Sequence, residues 1–412
     1  MAPESAVGVL REEFDREALS AQLITRSETR TSVVRCLLRT RDSSVVADAS
    51  GRGAGPQAHA SALFEAWENF CHKSGFDAFR GNADRMRLIP AKRIADQPAL
   101  RGDALIPRLA AEFPDARIAC LRFDPIHAGT DALWYPAFAR FPWFLQYPIP
   151  GEDVGYHSYL RYSTNFGTAA GVSEPEALLH ALLEVIEGDA FSLSLLDWCT
   201  SADSVARTVD PVDLPHDLRQ MCEQIEHAMG CSPLICEITT DIGVPSYCAL
   251  PSRPTYVVSG GAGASTTPGY AVERALGELL QTHVTHSEQP ERLAQLRRKL
   301  GRLESWPVLE RCMTLDGTHL SEKSQPVPHR PSGWWDPPPV SVESQLETVA
   351  HALGMAGMSG YYLRWNSVES AVPVVTVLVP GLETFFLSRT GVPVLPTGRG
   401  IHTLPALAGD GR

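Results

Sequence analysis

Apolar positions along the chain recur with a two-residue period in some stretches and with a helical period in others. Residues 32–48, SVVRCLLRTRDSSVVAD, alternate and carry β-branched side chains, which predicts a hairpin running into the turn SGRGAGP. A helix is predicted over about 57–73, and RIACLRFDPI (117–126) and ALWYPAFARFPWFLQYPI (132–149) read as strand-like, aromatic and punctuated by proline. A second helix is expected over about 174–197, with Pro175 early and Glu174 and Glu176 at the positive end of the dipole. Strands follow at 233–239, 245–251 and 255–261, and the loop GGAGASTTPG opens a third helix near 270–285. Residues 321–339, SEKSQPVPHRPSGWWDPPP, read as a proline-rich connector without regular structure, with Trp334 and Trp335 as its anchors. A late buried strand is expected within 372–383, and the tail from 401 is expected to be loose.

Composition narrows the class. With 412 residues, 44% hydrophobic and 20% charged, the chain is long enough for two or three lobes or one large domain, and global disorder is excluded. A net charge of −12 does not favour a nucleic-acid surface. The first twenty residues are charged and lack the apolar core of a secretion signal, and no apolar run is long enough to cross a bilayer. Nine cysteines show no CxxC pair and no metal-type spacing with histidine, so reduced thiols in a cytoplasm are expected, with Cys236 a small hydrophobe in a strand.

The three predicted helices share a register. SALFEAWEN (61–69), HALLEVIEG (180–188) and RALGELLQT (274–282) each read x-Ala-Leu-x-Glu-x-x-(Glu or Gln)-x, and the unequal gaps between them exclude a solenoid. Positions three apart share a helix face, so Glu65 with Glu68, Glu184 with Glu187, and Glu278 with Gln281 each form a pair of oxygen donors. Ser61 extends the first face, and Glu176 and His180 extend the second. The helices are apolar nearly all round, as expected of enclosed helices, and an ionised carboxylate placed there needs a partner. No lysine or arginine is seen at a complementary i+4 position, so positive charge is expected from outside the helices. A single E-x-x-E is ordinarily two solvated glutamates; three copies, each after a glycine-rich turn (SGRGAG, NFGTAAG, GGAGAS), point instead to one charged site. Such turns present N–H groups to anions, none ends like a Walker A loop, and with Arg52 the pattern suggests Mg²⁺-nucleotide chemistry.

These stretches resemble the YcaO family. SGRGAGPQAHASALFEAWENF is similar to its first ATP motif, TNFGTAAGVSEPEALLHALLEVIEGDA to its second, SGGAGASTTPGYAVERALGELLQTH to its third, in which the helix reads ALxRAxxExxQxR, and VVTVLVPGLE to its closing strand. The resemblance implies an α/β (α+β) fold with mixed sheets and carboxylate-bearing helices around a Mg²⁺–ATP site. It implies an N-terminal extension over 1–30, a domain over 31–400 and a tail over 401–412. It places Arg52, Ser61, Glu65, Asn165 and Gln281 at the nucleotide and Glu68, Glu176, Glu184, Glu187 and Glu278 at its metal ions. Family members phosphorylate a peptide backbone oxygen with ATP and Mg²⁺, giving azolines, amidines or thioamides in ribosomally made peptides. The partners so implied are a precursor peptide, a leader-binding or TfuA-like protein, and a second copy or second family member. Asn69, Gly188 and His283 stand where the motifs carry arginine, and Phe166 interrupts the second motif's turn. Two readings therefore stay open: an active enzyme, and a catalytically degenerate subunit that binds peptide or pairs with an active homologue.

Overall fold

The computed structural model describes residues 2–404 apart from 28–30, 128, 153, 154, 156, 157, 256–259, 289, 302, 304 and 322. The strands, numbered in chain order, form three sheets. The first is the antiparallel meander β1 (Ser20–Ser27), β2 (Thr31–Arg39) and β3 (Val45–Ala54). The second has the order β4 (Met86–Pro90), β5 (Arg117–Pro125), β13 (Tyr361–Arg364), β14 (Val374–Leu378), β7 (Thr168–Ala170), with β6 (Leu133–Pro136) paired to β5. The third has the order β11 (Gly261–Ala264), β10 (Ser246–Pro251), β9 (Pro233–Glu237), β8 (Ala206–Val209), β12 (Ser324–Pro326), and only β12 with β8 is parallel. The fold is a mixed α/β one, as the sequence predicts.

One arrangement recurs in all three sheets. β3, β7 and β11 each lie at a sheet edge, and each runs within a few residues into a long helix: Pro56–Phe79, Glu174–Thr200 and Pro268–Glu288. The glycine-rich stretches expected as turns are largely these strands. Small residues are needed there because the helix lies directly on its own strand: a Cβ on Gly51 would fall 2.0 Å from the Ala62 nitrogen, and one on Gly261 would fall 2.2 Å from the Ala275 carbonyl oxygen. The helix Glu174–Thr200 opens with a reciprocal cap, Ser173 accepting the Glu176 N–H and Glu176 accepting the Val172 N–H at 3.0 Å. It is buried on almost every side, which agrees with its all-round apolar sequence.

Other expectations change. Residues 132–149 hold only the four-residue β6; a short helix, Ala137–Arg140, and a 3₁₀ turn at Phe144–Gln146 follow. The aromatic side chains there serve core packing, with Phe141 stacked on Phe76 at 4.1 Å between ring centres. The connector 321–339 is not devoid of regular structure: it contains β12 and a helical turn, Ser332–Trp335. Trp335 is buried while Trp334 stays exposed, so one of the two expected anchors holds it. The strand expected at 255–261 falls mainly on residues outside those described, and β11 begins at its last residue. The tail beyond 404 also lies outside them. Near the N-terminus a helix, Pro3–Arg16, buries Leu10 and Phe14 in the cluster that holds Trp67. All nine cysteines are buried and unpaired, Cys236 within β9. Among the described residues no helix is long and apolar enough to cross a membrane.

Candidate functional site

The eighth position of the shared register reaches from one strand–helix unit to the next. Glu68 accepts the N–H of Ala170 on β7 at 3.0 Å, Glu187 accepts the N–H of Ala264 on β11 at 3.2 Å, and Gln281 Nε2 donates to the Ser50 carbonyl on β3 at 2.8 Å. Each helix thus grips the strand that precedes another of the three helices, and the three contacts close a ring. The fifth position lies one turn back: Glu278 accepts the Ala262 N–H at 2.9 Å and Glu184 the Gly167 N–H, while Glu65 is solvent-exposed yet crowded by protein. An acid that is both crowded and wet lines an open cleft. The first position, a further turn back, carries Ser61, His180 and Arg274.

Arg274 is the cation that the sequence reading missed. It stands four residues before Glu278, on the face said to lack a basic residue, and matches the arginine of the third family motif. Its Nη2 lies 3.4 Å from Glu187 Oε2. Burial alone would lower its pKa, but Glu187, Tyr270, Glu184 and Glu278 together drive it up. The second cation, Arg52 on β3, donates to Gln281 Oε1 at 2.8 Å and acts by charge on Glu65 and Glu187.

Two arginines do not balance five carboxylates. Burial first, then Glu65 and Glu184, hold the Glu68 carboxyl well above the usual range. Burial, then Glu187 and Glu65, push Glu184 up to about 8. Because Glu65, Glu68 and Glu184 retain solvent access, burial weighs less on them than it would in a sealed core. Glu68, Glu187 and Glu278 each commit one oxygen to a backbone N–H; the other has no protein partner among the described residues and is open to solvent. Hard oxygens of this kind suit Mg²⁺. Among the described residues no three His, Cys, Asp or Glu side chains enclose a cation by themselves.

Glu176 uses one oxygen in the helix cap, and Asn165 is exposed in the turn before β7, where its backbone carbonyl accepts the Thr168 N–H. His283 does not face the acids: its ring is bonded to the Ala228 backbone of a neighbouring helix, His216–Met229. Gly188 is explained by Phe166. A Cβ there would fall 2.4 Å from the Phe166 ring, which itself packs on Phe386 at 4.3 Å between ring centres. The interrupted turn and the missing side chain are therefore one packing event.

A family profile described as YcaO cyclodehydratase, ATP- and Mg²⁺-binding, matches residues 50–383. An uncharacterized protein of Methanothermobacter thermautotrophicus is 28% identical over 58% of this chain and 62% of its own length. An uncharacterized protein from the tfuA 3′ region of Rhizobium leguminosarum is 27% identical over 53% of this chain and 52% of its own. The chain thus spans between half and two thirds of these relatives. Among solved structures, a heterocyclase in complex with substrate and cofactor superposes with a TM-score of 0.64 at 16% identity, covering 94% of this chain and 53% of that one. The YcaO protein of Methanopyrus kandleri bound with AMPPCP and Mg²⁺ gives 0.61 at 18%, covering 96% and 95%. The E. coli microcin synthetase complex gives 0.56 at 12%, covering 88% of each chain. At such identities the likeness is one of fold.

Proposed function

The chain belongs to the YcaO family, and from that premise we propose that it is an ATP- and Mg²⁺-dependent enzyme that phosphorylates a peptide backbone oxygen during maturation of a ribosomally made peptide. The observation that carries this reading is the open cleft in which Glu65, Glu68, Glu184, Glu187 and Glu278 meet, with Arg52 and Arg274 among them and more acids than bases in the group. In this reading Arg52, Ser61, Glu65, Asn165 and Gln281 bind the nucleotide. Glu68, Glu176, Glu184, Glu187 and Glu278 hold Mg²⁺, Glu176 also capping the start of its helix. Mg²⁺, when bound, offsets charge on the phosphates during phosphoryl transfer. Arg274 opposes the rise that burial imposes on the Glu187 carboxyl, and the ring of strand contacts holds the three helices at one spacing.

The product is an azoline or a thioamide. The relative from a tfuA region supports a TfuA-like partner and hence the thioamide. The test is binding of a non-hydrolysable ATP analogue with Mg²⁺, followed by the peptide's mass change with partners present. Glu184→Gln is expected to weaken Mg²⁺-dependent binding about 100-fold; equal affinity in the variant would sink the reading. Loss of water identifies an azoline, and exchange of oxygen for sulfur a thioamide. The absence of any side chain at Gly188 supports a second reading, a subunit that recruits peptide without turnover, which tight peptide binding without nucleotide would identify.

A further inference from the structure

Behind the cleft wall lies a cation that forms no ion pair with the cleft acids, although the charge of Glu184 reaches it. Arg140 closes the short helix Ala137–Arg140, is 6% exposed, and forms no ion pair among the described residues. A buried guanidinium without a carboxylate partner is costly, by several kcal/mol in general, so its placement calls for a reason. Its bonds supply one. Nη2 donates to the carbonyl of Phe166 at 2.5 Å and to that of Val377 on β14 at 3.1 Å, and the Val377 N–H donates to the Gly167 carbonyl at 2.8 Å. The 166–167 turn is therefore tied to β14 from both sides.

That turn holds a glutamate of the cleft. The N–H of Gly167 acts on the Glu184 carboxyl and pulls its pKa down. Gly167 has φ +80°, and a Cβ on it would fall 2.5 Å from Val185 Cγ1 and 3.3 Å from Arg140 Nη2, so the turn has one conformation and little room for another. On its outer side the Phe166 ring covers Gly188, so no side chain from position 188 can share the task.

We infer that Arg140 is a positioning residue for the cleft: by fixing the 166–167 turn against β14 it sets the Gly167 N–H, and through it the carboxylate of Glu184. The functional half rests on reading the cleft as a Mg²⁺-nucleotide site; the structural half does not. Arg140→Met removes charge and donors at similar length, Arg140→Lys keeps the charge with one anchoring nitrogen, and Arg140→Gln is the fallback if Met prevents folding. Each is measured by thermal melting, by amide exchange at Gly167 and Val377, and by Mg²⁺ titration with an ATP analogue. In the Met variant, or in Gln in its place, the Gly167 and Val377 amides are expected to exchange about tenfold faster. Apparent Mg²⁺ affinity is expected to fall about tenfold or more, with metal-free nucleotide affinity unchanged and partial recovery in Lys. Wild-type exchange at Gly167 together with wild-type Mg²⁺ affinity would overturn the inference. If the unaltered protein binds no Mg²⁺-nucleotide, the functional reading fails on its own, and exchange at Gly167 still decides whether Arg140 holds the turn.

Discussion

Glu383 and Glu184 are both glutamates drawn largely out of water, and the protein surrounds them differently. Glu383 is 1% exposed and accepts four backbone N–H groups, from Thr384, Thr397, Gly398 and Gly400, at 2.9 to 3.1 Å. Its own N–H donates to Asp189, which is paired in turn with Arg399. Burial raises the Glu383 carboxyl while those four N–H groups pull it down. Glu184 has one backbone N–H, two glutamates pressing on it and one arginine relieving it. A buried acid is thus not in itself a site. What distinguishes the cleft is a surplus of carboxylate oxygen that the protein leaves unsatisfied.

The sharpest way to break the comparison is to neutralise each acid. Glu383→Gln is expected to cost about 3–5 kcal/mol of stability, because two of the four N–H donors would then face an NH₂ group in place of a carboxylate oxygen. Glu184→Gln should leave unfolding free energy at neutral pH nearly unchanged, since the amide replaces a carboxyl that already carries its proton. Urea denaturation of both variants decides the matter, and the opposite ranking would show that the cleft acids hold the fold together.

A smaller effect tests the boundary. The helix Glu174–Thr200 carries Glu187 into the cleft and, two residues on, Asp189 toward Glu383, with Gly188 between. Gly188→Ala is expected to cost about 1–3 kcal/mol by overpacking against Phe166, and Phe166→Ala in the same chain should recover most of it. Additive costs in that double-mutant cycle would mean that the ring does not account for the glycine.

The smallest effect is in pH. Glu184, held near 8, keeps its proton at neutral pH. An acid raised above its unfolded value loses stability as pH climbs from the ordinary carboxylate range through about 8, so on this account the ligand-free protein weakens across that window. A cation must displace the proton, so apparent Mg²⁺ affinity should rise with pH, by up to about tenfold per unit, and level off above about 8. Calorimetry in buffers of different ionisation enthalpy would register the released proton. A pH-independent affinity would put Glu184 outside the metal's reach.

The three carboxylate helices were legible because helix periodicity is local: the spacing of Glu65 and Glu68, Glu184 and Glu187, and Glu278 and Gln281 puts each pair on one face whatever the rest of the chain does. Arg274 was equally legible, one turn before Glu278, and was missed because its partner Glu187 sits on another helix. Arg140 left no trace. It lies in an aromatic segment read as sheet, and it acts by binding main-chain carbonyls, which any sequence supplies. The glycine-rich stretches could be read for their composition but not their use, since a tight turn and a strand pressed beneath a helix both demand a missing Cβ.

Periodicity alone thus fixed that three helices each present a pair of oxygen-bearing side chains on one face, two acids on the first two and an acid with an amide on the third. Only the tertiary structure decided what those side chains hold, because the bonds that close the ring join residues 77, 102 and 231 positions apart. Contacts at such separations depend on how three sheets pack, and no local periodicity encodes that.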